Sequence, residues 1–333
     1  MNLDKIIKET FLNKYFSEVT FSKLKEISTY INKITSYKNQ AILFEFDTSE
    51  KKQLDISFPI NKKLPVSEIY LKKKEVDLEK FLKSNLELIN VFPNSNNFLE
   101  FDYKDSEYIL SGIFQKTSSN KLKKHLFNSY IYRYLNIFTD IELNKLNNFR
   151  ELSHFLSNFD PCYIGLMNRS TNNHIVKIVT NPFKYNESIN NFFNNYFKNS
   201  VSLLPLIEEL SEEFDIKLSI DFDLKENLIK NRLCFEIFTK GIGNKIENRK
   251  LLEKLFDNFS IYFLDQDINL MNNLPIKKRN KIFENSKHEY YELIELFLSH
   301  IKLVINNNQL NFKIYIWGNR EILKEIKPQY KKN

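Results

Sequence analysis

Residues 298–318 place cationic and aromatic side chains at alternate positions on both sides of a polar turn at 306–309. The residues on this face are His300, Lys302, Lys313, Tyr315 and Trp317. A lysine can bind an anion, and the face of an aromatic ring can stabilise a cation, so this pattern indicates the lining of a site for a phosphorylated small molecule. Alternation with a period of two across a short polar turn predicts that an antiparallel hairpin presents these residues.

Four further stretches show the same alternation around a polar turn. They predict hairpins at 40–60, 96–116, 161–183 and 216–241. Apolar residues at helical spacing predict helices around the hairpins, at 1–37, 75–90, 119–158, 186–197, 203–214, 246–259 and 288–298. The connection between 259 and 288 has no clear period. The pattern is therefore a repeated ββαα series without sequence identity between its units.

In each predicted hairpin one face is apolar and the other is mixed. Helices need an apolar sheet face to pack upon, so the mixed faces would turn inward if the sheet closed. These faces predict an α+β fold in which about ten antiparallel strands form a barrel ringed by helices, since closure removes sheet edges. An open antiparallel sheet with helices on one face explains the same alternation. Either fold makes residues 1–333 a single domain with a helical segment at 1–37 and a basic tail at 319–333.

A closed barrel would gather the mixed faces of all five hairpins. Its interior would contain Glu45, Asp47, Asp55, Glu100, Asp102, Tyr163, Arg169, Lys177, Lys217, Asp221, Arg232, Glu236, His300, Lys302, Lys313, Tyr315 and Trp317. So many charges require partners or water, so they predict a solvated interior rather than a dry core.

Composition narrows the class of protein. The net charge is +7 with a pI near 9.0, but the lysines are dispersed and no nucleic-acid-binding motif accompanies them, so nucleic acid is not expected as a partner. Cys162 and Cys234 give neither a disulfide framework nor metal-ligand spacing. The N-terminus lacks a signal-peptide pattern, and no apolar run approaches the ~20 residues of a membrane span. We expect a cytoplasmic monomer that does not bind a membrane.

Three segments carry a resemblance to a known family. They are FLEFDYKDSEYILSGIFQKTSSNKLKKHLF, IKLSIDFDLKENLIKNRLCFEIF and HIKLVINNNQLNFKIYIW. With five ββαα units, the chain resembles the PT-barrel (ABBA-fold) prenyltransferases, which include aromatic and cyanobactin-type peptide prenyltransferases. The resemblance implies transfer of a prenyl group from an allylic diphosphate, such as dimethylallyl diphosphate, to a peptide or aromatic acceptor. Such a protein would act in modified-peptide or secondary-metabolite biosynthesis.

The same resemblance implies roles for individual residues. The diphosphate would bind to Lys177, Arg232, Lys302 and Lys313. The prenyl chain and acceptor would be shielded by Tyr163, Tyr315 and Trp317. Glu45, on the first strand, would be the catalytic base, as the family has a glutamate there. No cofactor is required, unless Asp221 and Asp223 bind Mg²⁺ together with the diphosphate.

Each of these residues also has a structural interpretation. A strand lysine or arginine usually lies on a solvated face, Tyr315 and Trp317 fit a structural role, and Glu45 could pair with a lysine on a neighbouring strand. Asp221 and Asp223 could mark a solvated strand end. The alternative function is a non-catalytic peptide-binding or scaffold protein of a modified-peptide pathway.

Overall fold

The structure of the protein is a computed structural model. It describes residues 6, 22–25, 40–48, 54–60, 97–104, 107–116, 150–167, 175–198, 203–223, 226, 228–239, 244–306 and 309–327.

The described residues contain eleven strands. Their bounds are Gln40–Asp47 (β1), Leu54–Ile60 (β2), Asn97–Lys104 (β3), Glu107–Lys116 (β4), Pro161–Met167 (β5), Ile175–Thr180 (β6), Asp215–Asp223 (β7), Leu228–Phe238 (β8), Ile276–Glu284 (β9), His288–Asn306 (β10) and Gln309–Ile326 (β11). The alternating stretches of the sequence form strands because alternate side chains of a strand point to opposite faces of the sheet. All five predicted hairpins are confirmed.

The strands form one antiparallel, barrel-like sheet. Strands β1 to β8 pair in chain order, β8 pairs with β10, β10 with β11, and β11 returns to β1. In the closing ladder Phe44 lies opposite Ile316, Glu45 opposite Tyr315, and Asp47 opposite Lys313. Because the sheet returns upon itself, the barrel prediction is confirmed at this level and the open-sheet alternative is wrong.

Strand β9 lies outside this ring of ten strands. It pairs with β10 over Ile276–Glu284, where β10 extends past the end of β8. Strand β11 also extends past β1, whose ladder ends at the pair Gln40–Arg320. Strand β9 and the extended halves of β10 and β11 therefore form a three-stranded sheet that projects from the barrel.

The helices whose bounds the structure describes are Arg150–Asn158 (α1), Glu187–Tyr196 (α2), Leu204–Glu213 (α3), Lys245–Phe259 (α4) and Asp265–Asn272 (α5), with a 3₁₀ turn at Ser260–Tyr262. Asparagine side chains begin two of them: Asn186 accepts a hydrogen bond from the backbone N–H of Ile189, and Asn244 from that of Ile246. Such caps satisfy N–H groups that have no partner within the helix.

The helices pack on the apolar face of the sheet. The rings of Phe193 in α2 and Phe235 in β8 lie 5.6 Å apart, and the Phe259 ring of α4 lies 5.1 Å from Phe312 in β11. These residues belong to one continuous buried core that also includes Phe44. Since the helices cover this face, the opposite face with its charged side chains lines the interior of the barrel.

Several sequence predictions need correction. The predicted helix at 288–298 is part of strand β10, the predicted basic tail at 319–333 is strand up to Ile326, and the unpatterned connection contains α5 and β9. Of the helical segment at 1–37, only residue 6 and residues 22–25 are described, and they are helical. The predicted helix at 75–90 and the part of 119–158 before Arg150 lie outside the described residues.

The interior is tightly packed where Gly165 faces Phe114. A Cβ atom added at Gly165 would lie 2.8 Å from the Phe114 Cζ and nearer still to two other ring carbons. The Phe114 ring is buried against Met167 and Ile175, so it cannot swing aside freely. We therefore expect Gly165→Ala to lower the free energy of unfolding by about 1–3 kcal/mol in urea titrations.

Two further variants test that explanation. In Gly318→Ala the added Cβ would lie 3.1–3.2 Å from side-chain carbons of Ile42, Leu296 and Phe44, a less severe overlap, so we expect a smaller loss. Phe114→Ala removes the ring that the new methyl group would overlap, so Gly165→Ala should cost less in the Phe114→Ala protein than in the wild type. An equal cost of Gly165→Ala in both proteins would contradict the steric explanation.

Candidate functional site

One wall of the barrel interior carries two adjacent lysines. Lys302 on β10 and Lys313 on β11 are directly opposite each other in the ladder. Like charges on neighbouring strands repel, so each needs an anion nearby. Lys302 donates to Glu236 of β8 at 3.0 Å, and Lys313 donates to Glu45 of β1. The result is a pair of cations flanked by carboxylates within the interior.

A second carboxylate shares Lys313. Asp55 of β2 lies opposite Glu45 in the ladder, and its Oδ2 is 3.7 Å from the Lys313 Nζ. Its Oδ1 accepts a hydrogen bond of 2.9 Å from the backbone N–H of Tyr103. Two buried carboxylates beside one lysine cannot both ionise without cost, so the group retains one proton more readily than separate carboxylates would.

The two carboxyl groups differ in acidity. Burial alone would raise the pKa of Glu45, but attraction by Lys313 and Lys302 outweighs burial and the pKa lies far below its ordinary value. Burial and the nearby negative charge of Glu45 raise the pKa of Asp55 to about 8, although Lys313 opposes this shift. Glu45 is thus the ionised partner of Lys313, and Asp55 carries the proton at neutral pH.

An imidazole is stacked between two rings beside the lysine pair. The His300 ring lies 4.0 Å from the Tyr315 ring and 4.5 Å from the Phe238 ring, measured between centroids, and is nearly parallel to both. Burial lowers the pKa of His300 to about 3, so the ring is neutral at physiological pH. Neutral His300 therefore acts as a third aromatic surface next to the Lys302 ammonium, which lies 5.8 Å from the Tyr315 ring.

Two predicted metal ligands point into the interior but are held by cations. Asp221 pairs with Arg232 at 3.1 Å, and Asp223 pairs with Lys230 at 2.9 Å. Among the residues that the structure describes, no three His, Cys, Asp or Glu side chains are grouped to hold a metal ion. Mg²⁺ would have to displace these cations and take its remaining ligands from phosphate oxygens, so no chemical step here is assigned to it.

An aromatic cluster lines another part of the interior. The Phe98 ring contacts both Tyr163, at 6.0 Å, and Trp317, at 6.3 Å, with the rings edge to face. The Lys217 ammonium lies 4.5 Å from the Phe238 ring and 5.7 Å from the Tyr163 ring. Lys217 thus links the aromatic cluster to the stacked rings at His300.

Lys177 lies at the other end of that cluster. It is 4 % exposed, and its ammonium sits 5.3 Å from the centroid of the Phe114 ring. Phe98 packs against the small cluster of Phe114, Met167 and Ile175. Lys177 is therefore close to the aromatic cluster, whereas Lys302 and Lys313 are close to Glu45.

The structure brings most of the predicted site residues into one interior. Glu45, Lys302, Lys313 and Tyr315 form one group, Arg232 acts on it electrostatically, and Tyr163 and Trp317 line a neighbouring wall. The roles of Phe98, Phe114 and Phe238 were missed. The only indication in the sequence is their position: Phe98 and Phe238 lie two residues from Glu100 and Glu236, on the same face of their strands. Alternation predicts which face a residue is on, but it does not give an apolar residue on that face a role.

In chemical terms the interior offers fixed cations, aromatic faces and a carboxylate at close range. No protein-family model matches the chain, and no curated protein sequence matches it. Within the described residues, no helix is long and apolar enough to cross a membrane.

Proposed function

We propose that the chain is a PT barrel of five ββαα units that transfers a prenyl group from an allylic diphosphate to a peptide or aromatic acceptor. The observation that carries the proposal is the pair Lys302 and Lys313. Two lysines directly opposite each other in the wall of a barrel fit the two phosphoryl groups of a diphosphate, and Arg232 adds charge to the same region.

The reaction begins with cleavage of the allylic C–O bond. The diphosphate leaves with the bonding electron pair, and fixed cations stabilise the negative charge that develops. The allyl cation needs aromatic faces and protection from water. Tyr163, Trp317 and Tyr315 are placed in the same interior and can supply both.

A new bond between the prenyl carbon and the acceptor releases one proton from the acceptor. Glu45 is the proposed base. In the free protein Lys313 keeps the pKa of Glu45 low, which makes its carboxylate a weak base. Diphosphate bound to Lys313 would compete for that ammonium and raise the pKa of Glu45, so basicity would increase when substrate is present.

The activity is tested with dimethylallyl diphosphate and a set of tyrosine- and tryptophan-containing peptides. We expect release of diphosphate and formation of a prenylated product detectable by mass spectrometry. Calorimetry with inorganic pyrophosphate tests the anion site separately. A protein that neither binds pyrophosphate nor releases it from dimethylallyl diphosphate would overturn the proposal.

Glu45→Gln tests the assignment of the base. We expect kcat to fall by about 10²–10⁴ while pyrophosphate binding is retained, because the amide cannot accept the proton. Glu253→Gln, on the exposed surface of α4, is the matched control and should keep the wild-type rate. Prenyl transfer at an undiminished rate by the Glu45→Gln protein would exclude Glu45 as the base.

The second candidate function is a non-catalytic peptide-binding or scaffold protein. It is favoured by the pairing of Arg232, Lys302 and Lys313 with carboxylates, which is compatible with a purely structural role. The pyrophosphate titration separates the two functions, because a structural set of ion pairs would not open to bind the anion.

A further inference from the structure

Strand β9 gives the projecting sheet a free edge. Its one partner within the described part of the chain is β10, and it is the last strand in the order of the sheet. Every residue from Lys277 to Glu284 is exposed. The outer edge of β9 faces no strand among those that the structure describes, so a further strand could add there.

The side chains along this edge are mainly cationic. The strand contains four cationic residues and one acidic residue, Glu284; the cations are Lys277, Lys278, Arg279 and Lys281. A basic edge strand repels a second copy of itself and attracts a strand with acidic side chains.

Three of the cations are held in position by the neighbouring strands. Lys277 pairs with Glu295 at 2.6 Å, and Lys281 pairs with Glu289 at 2.9 Å. Arg279 pairs with a carboxylate of β11 at 2.6 Å, and its guanidinium lies 3.8 Å from the centroid of the Tyr291 ring. These side chains are ordered before any partner arrives, which lowers the entropic cost of binding.

The other face of the edge combines one lysine with apolar side chains. Lys278 is exposed there, and at the far end Ile282 and Phe283 are 50 % and 60 % exposed. The Phe283 ring contacts Tyr290 of β10 at 5.6 Å. An incoming strand would thus meet charge along the edge and an apolar surface at its end.

A second copy of β9 would not fit this edge. In an antiparallel pair of two β9 strands the cations of one would lie beside those of the other, and like charges directly opposite are destabilising. Lysines on an edge strand are a common protection against self-association. A strand with acidic side chains would instead place carboxylates beside these cations, and each cross-strand pair of opposite charges stabilises the ladder.

We propose that β9 is a docking edge for an acidic peptide segment that adds to the projecting sheet as a further strand. Its acidic residues lie beside Lys277, Arg279 and Lys281, and the apolar residues that alternate with them reach Phe283. Backbone hydrogen bonds supply affinity, and the charges supply selectivity. The proposal is independent of prenyl transfer, and either can fail without the other.

The probe is a fluorescein-labelled synthetic peptide of alternating glutamate and valine, titrated into the full chain and followed by fluorescence anisotropy. We expect saturable binding that weakens as salt is added, and slower hydrogen exchange of the β9 amides in the complex. Two further peptides carry N-methyl groups on all glutamates or on all valines. At least one should bind about tenfold more weakly, because methylation removes the donors of one strand edge and blocks close approach.

Protein variants locate the site. Lys277→Glu should weaken binding about fivefold, because it replaces an attractive cross-strand pair with a peptide glutamate by a repulsive one. Lys245→Glu, an exposed lysine at the start of α4, is the matched control and should bind as the wild type does. Three results would overturn the proposal: binding of both methylated peptides as tight as that of the unmethylated peptide, equal binding by Lys277→Glu and Lys245→Glu, or slow hydrogen exchange of the β9 amides in a self-associated wild type without peptide, which would place a second copy on the edge.

Discussion

Lys302→Met is expected to lower the free energy of unfolding by about 3–5 kcal/mol, because it leaves the carboxylate of Glu236 buried without its partner. Lys302 is 4 % exposed and Glu236 is 9 % exposed, so water can replace the lost ammonium only in part. Relief of the repulsion between Lys302 and Lys313 offsets some of the loss. Urea titrations of the variant and the wild type at neutral pH provide the measurement.

A double variant and a pH series separate the loss of the ion pair from the loss of packing. In Lys302→Met/Glu236→Gln neither member of the pair is charged, so most of the stability should return. In Lys302→Met alone, burial without the lysine should raise the pKa of Glu236 above its unfolded value. The single variant should then become relatively more stable as the pH falls and the carboxylate takes up a proton.

A surface lysine provides the matched control. Lys254 pairs with Glu209 at 3.1 Å and Glu213 at 2.6 Å on the helical surface. Lys254→Met should cost no more than about 1 kcal/mol, since exposed ion pairs contribute little. Equal losses in Lys302→Met and Lys254→Met would show that the interior pair is solvated.

The hairpins could be predicted from the sequence because alternation is a local property. A buried apolar residue occupies every second position from Ile216 to Phe222 in β7 and from Leu233 to Ile237 in β8. The turn between them is set by local groups such as the Asp223 side chain, which accepts a hydrogen bond from the backbone N–H of Glu226. Closure depends instead on β1 meeting β11, strands at opposite ends of the chain. The sequence predicts this closure only indirectly, because strands with one apolar face and one charged face fit a barrel with helices outside and a polar interior.

The projecting sheet could not be predicted, for two physical reasons. Residues 288–298 contain leucines, isoleucine and phenylalanine that fit a helical period, but pairing with β9 and β11 makes them a strand in which Ile294, Leu296 and Leu298 are buried. Strand β9 is exposed along nearly its whole length, so it shows no alternation to detect. Pairing with neighbouring strands, rather than local sequence pattern, therefore determines the structure of residues 288–298 and of β9.

The site was predictable as a set of residues but not as a set of partners. Alternation put Glu45 and Lys313 on inward faces, and the strand register joins them across 268 positions of the chain. Nothing in the local sequence distinguishes Glu45, which is ionised beside Lys313, from Asp55, which carries a proton. That difference arises from burial and from the geometry of three strands.

Asp55→Asn should change the pH dependence of stability. The pKa of Asp55 is raised from 3.8 to about 8 in the folded protein, so the folded state holds a proton that the unfolded state releases above about pH 4. The stability contributed by this group is complete below pH 4 and is lost as the pH rises to 8, at roughly 1.4 kcal/mol for each pH unit. Asparagine does not titrate, so the variant should lack this loss.

Urea titrations between pH 5 and pH 8.5, on the order of half a unit apart, measure the effect. The difference in unfolding free energy, Asp55→Asn minus wild type, should increase steadily up to about pH 8 and then level off. The amide oxygen can still accept from the Tyr103 N–H, as the Asp55 carboxyl does at 2.9 Å, so the fold should be retained. Asp257→Asn, on the exposed surface of α4, should follow the wild-type curve. Parallel curves for Asp55→Asn and wild type would show that Asp55 is ionised throughout, and that Lys313 neutralises both carboxylates rather than one.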